Sequence, residues 1–111
     1  MGAQIITLAE RKARETARRA SAAAAIAEEL RSYATTHRGR FVLFGSAAKG
    51  TMEYDSDLDV AIDFPPEADR AAWGFVEALC AKHAIPADLH DFGSLSERLR
   101  SRILPYALTL P

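Results

Sequence analysis

The sequence predicts an α/β (α+β) domain: a small three-stranded mixed sheet with flanking helices, preceded by a long N-terminal helix. Three observations carry that reading. Residues 7–33 hold neither Pro nor Gly and are rich in Ala, Arg, Glu and Leu, the composition of a long helix. Three short runs, Arg40–Phe44, Leu58–Asp63 and Ala87–Phe92, are bounded by Gly, Pro, Ser or Asp clusters as strands are. The stretches after Pro65-Pro66 and Ser96 return to helical periodicity, so the order is α-β-β-α-β-α.

Each element has its own justification. In the first helix Ile26, Leu30 and Tyr33 recur at helical spacing and should face the body. Ala9, Ala13, Ala17, Ala20 and Ala24 form a stripe of small residues; with Ile5, Ile6 and Leu8 it offers a contact face for a second copy or a partner chain. Gly39 marks the end of this helix. Arg40-Phe41-Val42-Leu43-Phe44 is apolar enough for a strand buried on both faces and runs directly into Gly45-Ser46. Pro66 can start the second long helix, on which Trp73, Val76, Leu79, Cys80 and His83 fall near one face; Cys80 and His83 read there as packing rather than metal ligation. Ser94 or Ser96 opens the last helix, which must close before Pro105. Residues 1–38 thus form a helical segment and residues 39–111 the core of a single domain.

Composition narrows the function classes. The chain has 111 residues, a formal net charge of −1 and a balanced 49% hydrophobic and 26% charged content, which fits one ordinary globular domain. A single cysteine excludes an internal disulfide, and no apolar run is long enough to span a bilayer, so the cytoplasm is the expected compartment. Residues 1–40 carry eight basic and four acidic groups, residues 41–111 six basic and eleven acidic. Glu10, Glu15, Glu28 and Glu29 interrupt the basic residues, which argues against direct nucleic-acid binding.

The chemistry concentrates in residues 45–59. On a strand over residues 57–63, Asp57 and Asp59 point to one face with Cα atoms about 6.6 Å apart, close enough to share a hard divalent cation such as magnesium. Asp63 has the same parity but lies about 20 Å from Asp57 along the strand, too far to join them. Gly45-Ser46 sits where a strand gives way to a turn, a place where backbone N–H groups and a hydroxyl can hold a phosphate. Lys49 adds positive charge, and Gly50 permits the return of the chain. A third carboxylate must come from the last strand. Asp88 and Asp91 have opposite parity there, and with Leu89 turned to the core, Asp88 shares the open face with His90.

Gly45-Ser46, ten residues, then Asp57-Leu58-Asp59 resembles the GS-x10-DxD signature of the DNA polymerase β-like nucleotidyltransferase superfamily. The length is similar to that of its minimal nucleotidyltransferase (MNT) branch, and the resemblance spans roughly residues 40–104. It implies a nucleotidyltransferase-like fold and an enzyme that uses Mg2+ and ATP. Gly45, Ser46 and Lys49 would bind the nucleotide, and Asp57, Asp59 and Asp88 would serve as metal ligands and catalytic residues. It departs from the family at Lys49, where an arginine is usual, and at Leu104-Pro105-Tyr106, where the family has Glu-Gly. The resemblance further implies the antitoxin of a HEPN/MNT toxin–antitoxin pair, a protein adenylyltransferase moving AMP to a hydroxyl of a HEPN-domain toxin. The alternatives are an inactive antitoxin that neutralises its partner by binding alone, and an aminoglycoside-type transferase acting on a small molecule.

Overall fold

Thr7 starts the fold by capping a helix: its hydroxyl accepts the Glu10 N–H at 3.1 Å. In the computed structural model, which describes residues 6–111, helix α1 then runs from Leu8 to His37. Arg38 closes it in the left-handed conformation. Gly39 follows against Phe64, where a Cβ would run into the ring. All five buried residues of α1, Ala22, Ala23, Ile26, Leu30 and Ala34, lie from its midpoint onward. The alanines expected to form a contact stripe, Ala9, Ala13, Ala17, Ala20 and Ala24, are exposed in the isolated chain, as is Leu8. Ile5 lies outside the described residues.

The sheet has four strands, not three. β1 (Arg40–Phe44), β2 (Leu58–Asp63), β3 (Ala87–Asp91) and β4 (Leu108–Leu110) stand in the order β3-β2-β1-β4. β2 is antiparallel to β1 and parallel to β3, which makes the sheet mixed as expected. The added strand β4 is antiparallel to β1, with Phe41 opposite Leu110. Three residues are too few to show a period-two pattern, which is why Leu108-Thr109-Leu110 escapes a sequence reading. It forms because it closes the free edge of β1 and buries Leu110 completely.

Helix α3 (Pro66–Lys82) begins with Pro at its first position and packs with α1 on one face of the sheet. Ile26 and Leu30 of α1 meet Phe41, Leu43 and Val76 there, while Val42, Ala61 and Phe92 form a smaller cluster on the opposite face. Cys80 belongs to the larger core, and burial pushes its thiol up and away from the reactive thiolate. His83 sits 3.4 Å from Glu29 of α1. Helix α2 (Gly45–Lys49) is a single turn, and α4 (Glu97–Ile103) opens at Ser96, whose hydroxyl accepts the Leu99 N–H. No helix among the described residues is long and apolar enough to cross a membrane.

Candidate active site

Strand register assembles the site. The antiparallel pairing of β1 with β2 sets Phe44 opposite Asp59, and the parallel pairing of β2 with β3 sets Asp59 beside Asp88. The residue after Phe44 is Gly45, so the turn into α2 starts directly over the Asp59 carboxylate. Gly45 has φ +67°, and a Cβ on it would collide with Asp59 Oδ2. Both the backbone conformation and the close approach therefore demand glycine.

Asp59, Asp88 and His90 bring one ligand atom each to within 4.8 Å of one another. Alternation along β3 gives Asp88 and His90 the same face, and His90 Nε2 lies 3.2 Å from Asp88 Oδ2. The imidazole also leans on the Phe44 ring, with centroids 5.5 Å apart. Asp91 points elsewhere and accepts a hydrogen bond from the Ser94 hydroxyl at 2.8 Å. Asp57 is exposed and sits one residue before β2 begins, outside the three-residue group. Its charge still reaches Asp59. His90 joins this cluster without being among the ligands expected from the sequence, although its parity with Asp88 is the signal that points to it.

Electrostatically, the group is short of positive charge. Burial pushes the Asp59 carboxyl up from its ordinary value; the neighbouring Asp88 charge pushes it further, His90 opposes this, and Asp57 adds to it. Half-buried Asp59 is thus a carboxylate crowded by two like charges, with one imidazole set against them. Two carboxylate oxygens and an imidazole nitrogen converging on one point fit a hard or borderline divalent cation, which would relieve that repulsion.

The turn beside it is formed by the same local chemistry. Gly50, in the left-handed conformation at φ 70°, donates its N–H to the Ser46 carbonyl, and Thr51 N–H donates to the same oxygen at 2.9 Å. The Ser46 hydroxyl rests against Met52 Sδ at 3.2 Å, a weak acceptor that a phosphate oxygen could displace. Lys49 is exposed and holds its ammonium over the Tyr106 ring, 5.5 Å from the centroid.

At the far end of β2 the carboxylate is treated differently. Asp63 is paired in register with Arg40, whose Nε donates to it at 2.6 Å. Arg40 also covers one side of Phe92, with Arg100 over the same ring. This is an ordinary ion-paired strand end.

No curated protein sequence matches the chain. A solved structure provisionally described as a minimal nucleotidyltransferase superposes with a TM-score of 0.62 at 28% sequence identity, covering 80% of this chain and 93% of its own. The profile of the family described as nucleotidyltransferase domain matches residues 24–106, from the buried half of α1 to the residue that carries Lys49's aromatic support. With the glycine turn, the paired carboxylates and most of its length inside that match, the chain belongs to the nucleotidyltransferase domain family.

Proposed function

We propose that this nucleotidyltransferase domain is an antitoxin that uses Mg-ATP to transfer AMP to a hydroxyl of a HEPN-domain toxin. The observation that carries the chemistry is the convergence of Asp59 and Asp88, side by side through parallel register, under a Gly45-Ser46 turn that only glycine can make. Asp57, Asp59 and Asp88 would hold magnesium, with His90 at the edge of the same cluster. When bound, the ions supply charge neutralisation at the α-phosphate and a lowered pKa for the incoming hydroxyl.

The chain's own residues do the rest. Gly45 brings backbone close to the triphosphate, and the Ser46 hydroxyl can leave Met52 to donate to a phosphate oxygen. Lys49 supplies a mobile positive charge to the leaving pyrophosphate. His90 Nε2, 3.2 Å from Asp88 Oδ2, would help orient that carboxylate toward the ions. In the reaction the acceptor oxygen bonds to the α-phosphorus, the bond to the β-phosphate oxygen breaks, and the acceptor proton passes to solvent.

The exposed face of α1 suits an assembly with a partner or a second copy, and the compartment we assign is the cytoplasm. Intact-mass measurement of the partner, after co-expression or incubation with Mg-ATP, tests the proposal. It should gain one or more adenylyl groups, and none when Asp88→Asn replaces the unaltered chain. A partner neutralised without gaining mass would establish inhibition by binding alone.

A further inference from the structure

We infer that Glu15, Arg18 and Arg19 of α1 form a positioning network that sets the spacing of the two carboxylate-bearing strand entries, and with it the affinity of the site for a divalent cation. This rests on the site reading above. The Glu15 carboxylate holds both guanidiniums: Arg18 Nε donates at 2.7 Å and its Nη2 at 3.0 Å, and Arg19 Nε donates at 2.7 Å. The two arginines lower the Glu15 carboxyl to about 2, so the anchor stays charged at any physiological pH.

The outer nitrogens of those guanidiniums reach two different segments. Arg19 Nη1 donates to the Ser56 carbonyl at 2.8 Å, one residue before Asp57. Arg18 donates to the His83 and Ala84 carbonyls, both at 2.8 Å, in the turn that feeds Asp88 on β3. The two segments are joined to each other by Leu58 N–H donating to the Pro86 carbonyl at 2.9 Å. One turn of α1 thereby fixes the entry of β2 and the entry of β3 together.

Core packing does not account for this stretch, because α1 has no buried residue before Ala22. Site geometry does. Metal ligands must be held to within about 0.5 Å, and losing such a supporting contact lowers metal affinity by roughly 10–100-fold.

The test has a built-in sign. Removing a cationic side chain near an acidic site should, by charge alone, tighten cation binding. Loss of positioning should weaken it. Mn2+ binding to the full chain, measured by calorimetry or electron paramagnetic resonance well below the unfolding temperature, separates the two. Arg19→Ala is expected to weaken Mn2+ affinity by about tenfold or more, and Arg18→Ala in the same direction. Arg19→Lys, which can reach Ser56 only by releasing Glu15, should recover part of the loss. Asp59→Asn gives the no-site reference. If Arg19→Ala fails to fold, Arg18→Ala decides. Affinity that is unchanged or tighter in the arginine variants, with Asp59→Asn abolishing binding, overturns the inference while leaving the site intact. An unaltered protein that binds no Mn2+ overturns the site reading itself, and this inference with it.

Discussion

Asp59 and Asp63 stand on the same strand with the same parity, yet their surroundings are opposite. Asp63 has Arg40 against it at 2.6 Å, while Asp59 has a second carboxylate, a glycine turn and partial burial. A fold that only needed soluble strand ends would treat the two alike. What the contrast teaches is that the carboxylate at the distal end of β2 is compensated within the fold, whereas the one beside β3 is crowded by like charge, as a cation-binding role would require. Like-charge crowding is costly enough to be removed unless it serves a purpose.

The sharpest way to break the comparison is by activity. Asp59→Asn or Asp88→Asn should cut nucleotidyl transfer by about 10³-fold, roughly 4 kcal/mol of barrier, in an assay that follows pyrophosphate release. Asp63→Asn should leave the rate within a factor of two. Asp88→Asn should retain most ATP binding, whereas the double change Asp57→Asn with Asp59→Asn should abolish its dependence on magnesium in calorimetric titration. Equal rates for the Asp59 and Asp63 variants would erase the distinction.

Gly45→Ala comes next. The left-handed backbone and the displaced Asp59 carboxylate should together cost about 2 kcal/mol in denaturant unfolding. Gly50→Ala shares the positive φ but meets no atom, so it should cost less, by the share the collision contributes.

Stability against pH gives a smaller effect with a definite sign. The Asp59 carboxyl titrates above its unfolded value, so its protonated form favours the fold. That contribution is full below the ordinary carboxylate range and is lost as pH rises through the raised native value. Without divalent cations, Asp59→Asn should therefore melt about 2–4 °C above the unaltered protein at neutral pH, the gain being modest because solvent reaches the group. The advantage should vanish in acid. Smallest of all, Arg40→Ala should lower stability by about 1 kcal/mol, through an exposed ion pair and the cover it gives Phe92.

Much of this site could be read in advance because its logic is local. Strand parity alone puts Asp88 and His90 on one face and Asp91 on the other, and the GS turn followed by Asp57 and Asp59 lies within fifteen residues. β2 spans Leu58–Asp63 as its apolar run indicates, but Asp57, expected to share the strand with Asp59, stands in the loop just before it, since the pairing with β3 begins at Leu58. β4 has too short a pattern to declare itself. The arginine clamps of α1 were out of reach for a different reason: Arg19 meets Ser56 and Arg18 meets His83 across 37 and 65 residues of chain, and such contacts leave no periodicity behind. In composition they look like a solvated basic helix.

β4 has a consequence for the order in which the molecule assembles. β1 and β2 are close in sequence and can zip early, but Phe41 must wait for Leu110, which is 69 residues away, before its other edge is covered. During that interval β1 presents a bare apolar ladder, Phe41-Val42-Leu43, to any neighbouring chain. A three-residue strand is thus a latch against aggregation, and in native hydrogen exchange its amides should open well before the β1–β2 ladder does.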